Sequence, residues 1–347
     1  RTGRGNDRPR ASEDSLDPSL LKAEQANTSL LFGNRYFLKI FRAVEEGVHP
    51  EVEVGRALAD KTSFVNAARL IGTMDYFTSQ NQVMTIAALQ SYVPNEGDAF
   101  KYTLDVLRGF FEHAVTTQAT EEALLPARPF LDGVAGSTPP VVTERIGPYL
   151  EFLRLMARRT AEMHLALASI TDPDFKPEAY TLMYQRSTFQ TVRSWVFRVF
   201  NLVRRRLKDM PDDTRSIAQL LLGRESDIVH NLRIILSRRI NTLRIRTHGD
   251  YHLGSLLYTG KDFVVIDFEG ENLRPLSTRR HKRSPMRDIA SMLYSFDFAA
   301  QTALQAEHLR AEDRAALDRW SVFWQSWVAT TFVKSYLEIP EIAKLLP

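Results

Sequence analysis

Apolar and polar positions show no period over residues 1–20, which predicts a tail or linker. Alternation begins near Leu21. Two apolar runs, NTSLLF and RYFLKIF, flank Gly33-Asn34, a favourable two-residue turn, so a strand pair is expected there. After Gly47 and Pro50, EVEVGRALAD reads as a short helix with glutamates in its first turn, where the helix dipole favours them. Segments near 68–77 and 82–93 read as a second strand pair. Residues 21–93 therefore predict a small antiparallel sheet with one helix.

The pattern changes at Pro94-Asn95-Glu96-Gly97-Asp98, a break rich in turn residues. Helical periodicity fills 99–118 and 144–169, separated by a Pro/Gly/Thr-rich loop at 126–143. Two long amphipathic stretches are expected over 178–209 and 212–241, with Met210-Pro211-Asp212-Asp213 as turn and cap. Strands return in RIRTHGDYHLGSLLYTGKDFVVIDFEGE, turning at Thr259-Gly260-Lys261-Asp262, and helices over 286–307 and 310–337 close the chain. Residues 94–347 thus read as a second, larger, mainly helical part.

With 347 residues, the chain fits about two domains or one bilobal unit. Hydrophobic residues at 44% and charged residues at 25% exclude wholesale disorder. No apolar run approaches the ~18 residues of a membrane span. The start, RTGRGNDRPRASED, has no apolar segment of the signal-peptide kind. Absence of cysteine excludes disulfides, thiolate zinc sites and a Cys nucleophile, and fits a reducing cytoplasm. Net charge is 45 − 42 = +3, which permits an anionic ligand without specifying one. The chain lacks GxxxxGK[ST], GxGxxG after a strand, HExxH and GxSxG.

Chemistry concentrates between His248 and Glu271. His248-Gly249-Asp250 is expected at a strand end, and Phe263-Val264-Val265-Ile266 delivers Asp267-Phe268-Glu269. A hairpin would bring both aspartates to one end of the sheet. There one can accept the proton of an attacking hydroxyl, and the other can hold Mg²⁺ against nucleotide phosphates. A strand lysine, Lys39, and a helix glutamate, Glu53 with Glu51 as rival, supply the ion pair that polarises phosphates.

In that order these parts resemble the aminoglycoside-phosphotransferase-like kinases, and more closely the bacterial maltokinases. The likeness rests on HGDYHLGSLLYTGKDFVVIDFEGE, AEQANTSLLFGNRYFLKIFR with PEVEVGRAL, SYVPNEGDAFKYTLD, RTAEMHLALAS and RRHKRSPMRDIASMLYSFDFAA, over about 22–337. It implies a protein-kinase-like α+β bilobal fold. It also implies ATP- and Mg²⁺-dependent phosphorylation of maltose at the anomeric hydroxyl, feeding α-glucan synthesis. Asp250 matches the catalytic aspartate, Asp267 the metal ligand, and Lys39 with Glu53 the phosphate ion pair. Gln25-Ala26-Asn27-Thr28-Ser29 matches the phosphate-covering loop. Gln90, Ser91, Tyr92 and Val93 match the strand whose backbone meets adenine, and Arg287-Asp288 the helix that buttresses the catalytic loop. Ser255 stands where these families place an amide side chain as second metal ligand. Maltokinases usually carry a cap before the first strand, so this chain is expected to be a fragment, either of such a kinase or of a fusion with trehalose synthase.

The remaining candidates carry two readings each. His248 reads as a buried turn residue and His252 as a sugar contact or a loop residue. Glu269, Glu271 and Arg274 line the acceptor side or a solvated loop. Trp320, Trp324 and Trp327 fall on one helix face, which fits core packing; a sugar platform from these or Tyr336, helped by Arg319 and Lys334, is the alternative. Arg279-Arg280-His281-Lys282-Arg283 has the form of a nucleic-acid patch, but no aromatics interleave it, so no nucleic-acid partner is expected. The alternatives to maltose are another sugar, an aminoglycoside or a choline-like amine, or a non-catalytic module of a fusion.

Overall fold

The computed structural model describes residues 16–21, 27–116, 130–306 and 311–346. Strands β1 (Pro18–Leu21), β2 (Asn27–Phe32) and β3 (Tyr36–Phe41) lead into helix α1 (Pro50–Lys61), followed by β4 (Leu70–Phe77) and β5 (Val83–Ser91). These strands form one antiparallel sheet in the order β1-β2-β3-β5-β4. Alternation along β3 puts Lys39 and Phe41 on the same inward face. Phe41 packs with Val52 of α1, Ala88 of β5 and Leu70 of β4, and this small core clamps α1 against the sheet. Two expectations shift here. Pro18–Leu20 pair with β2 instead of extending a tail, and the β2–β3 turn has three residues, with Phe32 opposite Tyr36.

The second part begins with β6 (Gly97–Asp98), α2 (Ala99–Thr116), α3 (Phe130–Ala135), α4 (Pro140–Ile146) and α5 (Tyr149–Ser169). Gly147, with φ 60°, and Pro148 break the expected 144–169 helix into α4 and α5. Then come β7 (Glu178–Ala179), α6 (Leu182–Arg206), α7 (Asp212–Gly223), α8 (Glu225–Leu232), α9 (Ile234–Ser237) and β8 (Leu243–Arg244). The chain continues through β9 (Leu256–Tyr258), β10 (Phe263–Val265), α10 (Leu276–Arg279), α11 (Met286–Ala306) and α12 (Ala311–Leu337). Strands β10, β9 and β6 make a three-stranded sheet.

Two compact units emerge. One joins the residues up to Pro177 with Ile245–Ala343; the other is Glu178–Arg244 with the residues from Lys344 onward. In the first unit, α12 buries Leu317, Trp320, Phe323, Trp324, Trp327, Val328, Phe332 and Tyr336, while Asp318, Arg319 and Val322 keep a narrower face exposed. So wide a buried apolar arc places the tryptophans in core packing. In the second unit, Gln185 of α6 is buried and donates to the carbonyls of Ile235 and Arg238. The stretch 212–241, expected as one long helix, is broken at Arg224 and Arg233 into α7, α8 and α9. Among the described residues, no helix is long and apolar enough to cross a membrane.

Candidate active site

Lys39 is 1% exposed, and its ammonium is surrounded by carboxylates. Nζ donates to Asp267 Oδ1 at 2.7 Å and pairs with Glu269. Burial disfavours its charge, but Asp267, Glu51 and Glu269 outweigh that, and its pKa stands well above the ordinary lysine value. Asn27, at the start of β2, donates from Nδ2 to Glu269 Oε1 at 2.7 Å. Thr28 Oγ1 accepts from Arg42 Nε, and Ser29 is buried. Gln25 and Ala26 lie outside the described residues.

The glutamate beside this lysine is Glu51, not Glu53. Residues two apart on a helix face different sides. Glu51 is buried, bonded by Gln90 Nε2, and contributes to the charge felt by Lys39. Glu53 points away and pairs with Arg246 at 2.7 Å and Arg280 at 2.6 Å. Those guanidiniums hold its carboxyl below the ordinary value although burial pushes the other way. For Glu51, burial comes first. With the Asp267 and Glu269 carboxylates it overcomes the pull of Lys39, and the carboxyl moves from 4.5 to about 7. A folded-state pKa above the unfolded one means stability that is complete below the unfolded value and is lost as pH rises to the folded value. Between about pH 5 and 7.5 the melting temperature of Glu51→Gln should therefore gain on that of the parent, by a margin equivalent to about 3 kcal/mol. Thermal scans of both proteins without nucleotide check this; a difference independent of pH would refute it.

Two loops bring the aspartates together. Asp267 has φ 65°, a backbone state that L side chains rarely adopt, and marks a stressed turn of the kind found at functional sites. Gly270 (φ 70°) follows, and Gly249 (φ 88°) lies against it: a Cβ on Gly249 would stand 3.3 Å from the Gly270 Cα. Only glycine permits that approach. His248 adds a second link. Its Nε2 donates to the Ile266 carbonyl at 2.7 Å, and burial holds the ring neutral, so Nδ1 is left to accept from the Asp250 amide at 3.4 Å. Asp288, in the first turn of α11, accepts from the amides of His248 (2.8 Å) and Gly249 (3.0 Å) and contacts His164 Nε2. It anchors the loop that ends in Asp250, as expected for the buttress position. This loop lies beyond β8 rather than at a strand end.

Asp250 is exposed and lines a cavity of about 700 Å³ with Asp98, Phe100, His252, Arg287, Tyr294 and Phe298. His252 therefore does sit beside Asp250. Other candidates do not. Ser255 is fully buried; its Oγ donates to the His252 carbonyl at 2.6 Å and accepts the His252 amide, so it closes a tight turn. Glu269 pairs with Lys39 and does not line this cavity. Trp320, Trp324 and Tyr336 are buried in the core: Trp324 stacks on Tyr149, and the Tyr336 hydroxyl meets His164 Nδ1. Lys334 donates to the Gly136 carbonyl. In the strand expected to meet adenine, the Ser91 amide is bonded to Arg69 O and the Tyr92 amide to Arg35 O. The Gln90 side chain is taken by Glu51, and the Val93 carbonyl accepts from Asn95 Nδ2 at 2.7 Å. Side chains of the basic run are engaged internally: Arg279 pairs with Glu45, Arg280 with Glu53, and Lys282 donates to the Pro173 carbonyl, while the Arg283 backbone bridges to Ile245. Sequence reasoning missed Phe100, Tyr294 and Phe298, whose only signal is i, i+4 spacing of the last two on α11.

Glu51, Asp267 and Glu269 bring carboxylate oxygens within 4.8 Å of one another. An all-oxygen, multiply charged donor set suits a hard cation such as Mg²⁺, so these residues fit the ion that the resemblance implies. Without it, Lys39 is the counter-charge.

The profile of the phosphotransferase enzyme family matches residues 19–323, and the chain belongs to that family. It is 21% identical over 328 residues to a glucosamine kinase of Mycolicibacterium smegmatis, across 94% of this chain and 69% of the relative. A glucosamine kinase of Streptacidiphilus jiangxiensis is 22% identical over 284 residues, across 81% of this chain and 54% of the relative. The chain thus spans only part of each relative. The solved structure of a glucosamine kinase in complex with glucosamine, ADP and inorganic phosphate superposes with a TM-score of 0.64 at 17% identity, covering 95% of this chain and 70% of that one. The fold is kinase-like: a small antiparallel sheet lobe and a helical lobe.

Proposed function

We propose that the chain transfers the γ-phosphoryl group of ATP to a sugar hydroxyl, and that the acceptor is the anomeric hydroxyl of maltose. The observation that carries this is the pairing of loops through Gly249 and Gly270. It sets an exposed Asp250, open to a large cavity, beside an Asp267 already bonded to a buried lysine. In this reading Asp250 orients the hydroxyl and takes its proton. The hydroxyl oxygen bonds to the γ-phosphorus as the bridging bond to the β-phosphate breaks, and ADP leaves. Lys39 binds phosphate oxygens, with Glu51 and Glu269 holding its position. Asn27, Thr28 and Ser29 lie on the strand that covers the phosphates, and the Val93 backbone meets the base. Mg²⁺, held by Asp267 and Glu269, would neutralise phosphate charge when bound.

A second acceptor, an amino sugar, is favoured by the similarity to glucosamine kinases and by Asp98 in the cavity, a carboxylate able to meet an ammonium. ADP release measured with maltose, glucosamine and an aminoglycoside, and product identification by ³¹P NMR, separates them. Maltose is expected to give the highest kcat/KM and a 1-phosphate product. Turnover of glucosamine alone would move the assignment to the amino sugar, and no acceptor-dependent release would remove it.

A further inference from the structure

The cavity beside Asp250 is longer than the chemistry at Asp250 requires. One wall is a single face of α11, which presents Arg287, Ser291, Tyr294 and Phe298 at i, i+4, i+7 and i+11. That face runs about 16 Å at 1.5 Å per residue. Its near end is fixed to the catalytic loop, because Asp288 accepts the amides of His248 and Gly249. Its far end is apolar. Tyr294 is 68% and Phe298 52% exposed, although both are large aromatic side chains. Their rings lie 6.4 Å apart at 21°, and Phe100 of α2 extends the series at 5.9 Å and 27° from Phe298. Three roughly parallel rings along an open cavity leave apolar area in water unless something flat covers them. The C–H face of a pyranose is such a surface, and its rim of hydroxyls suits the polar atoms of Asp98, Arg287 and Ser291 nearby.

We infer that Tyr294 and Phe298, extended by Phe100, form a platform for a second sugar ring, so that the acceptor has at least two linked rings, the first presenting its hydroxyl to Asp250. This rests on the sugar-kinase reading above for the role of Asp250, while the platform itself is a statement about binding. Three helical turns of wall accommodate two linked rings, and a single ring held at Asp250 would leave the aromatic end bare. The platform thus falls on α11 and α2, not on the buried Trp320, Trp324 or Tyr336 of α12.

Calorimetric titration of the full chain with maltose and with glucosamine, in Mg²⁺ and a non-hydrolysable ATP analogue, tests it. In Tyr294→Ala and Phe298→Ala, the Kd for maltose should weaken about tenfold relative to that for glucosamine. Tyr294→Phe, which keeps the ring, should restore most of the parent affinity. Equal weakening for both sugars, no weakening, or no binding of maltose by the parent would each overturn the platform. Turnover is read separately. A parent that binds maltose in a Tyr294-dependent way but releases no ADP keeps the platform and loses the kinase reading. Maltose turnover with an unchanged KM in both alanine variants does the reverse.

Discussion

Asp250→Asn is expected to lower kcat for sugar phosphorylation by about a hundred- to ten-thousand-fold, the range typical of a lost general base. The substitution keeps shape and removes only the proton acceptor. The loop should not move, because its position is set elsewhere: Asp288 holds the His248 and Gly249 amides, and His248 ties the loop to the Ile266 carbonyl. The side chain at 250 is exposed to the cavity, so no buried partner is orphaned. Two measurements make the expectation specific. Thermal stabilisation by Mg²⁺ and an ATP analogue should persist in the variant, since a ligand that binds only the folded state raises stability as RT ln(1 + [L]/Kd). Acceptor-dependent ADP release should collapse. Turnover of sugar by the Asn variant at the parent rate would remove Asp250 from the chemistry.

How far sequence alone reaches can be traced residue by residue. The sheet of β2 to β5, helix α1, and the positions of Lys39, Asp250 and Asp267 follow from local pattern, because strand alternation and glycine-bearing turns are short-range signals. The choice between Glu51 and Glu53 does not. Both sit in the first turn of α1, and only the angle at which the helix meets the sheet decides which faces Lys39. The turn at Ser255 is not legible either. Its spacing from Asp250 suits a metal ligand, and only the folded loop shows its hydroxyl bonded to the His252 backbone. The tryptophans of α12 carry a one-face stripe, and burial on its flanks, by Phe323, Val328 and Phe332, becomes evident only once neighbouring helices are in place. Conversely, Tyr294 and Phe298 look like ordinary core residues in a helical pattern, and their exposure is a tertiary fact. The basic run at 279–283 is explained by acids and carbonyls far away in the chain, at Glu45, Glu53 and Pro173.

Lys39→Met should produce the second large effect, and in two observables that move together. Removing the ammonium leaves Glu51, Asp267 and Glu269 facing one another with their mutual counter-charge gone. Breaking a buried pair by deleting one partner typically destabilises by about 3–5 kcal/mol, and the half-exposed Asp267 carboxylate lowers the share that solvent does not screen. The deficit should depend on pH in a definite direction. Without Lys39, the Glu51 carboxyl, already raised by burial, loses the charge that lowered it and rises further above its unfolded value, so the variant is least handicapped near about pH 5 and most handicapped above about pH 7. Mg²⁺ should narrow the gap, because a divalent cation on the same oxygens replaces the missing charge. Activity should fall as well. Losing one preorganised charge at transferring phosphate oxygens corresponds to about a hundred- to thousand-fold in kcat/KM for ATP. Melting curves across pH, with and without Mg²⁺, and ATP kinetics on the same preparation decide it. A Met variant that melts with the parent at every pH, or keeps the parent kcat/KM, would mean that the carboxylate cluster does not depend on Lys39 and that phosphate is bound elsewhere.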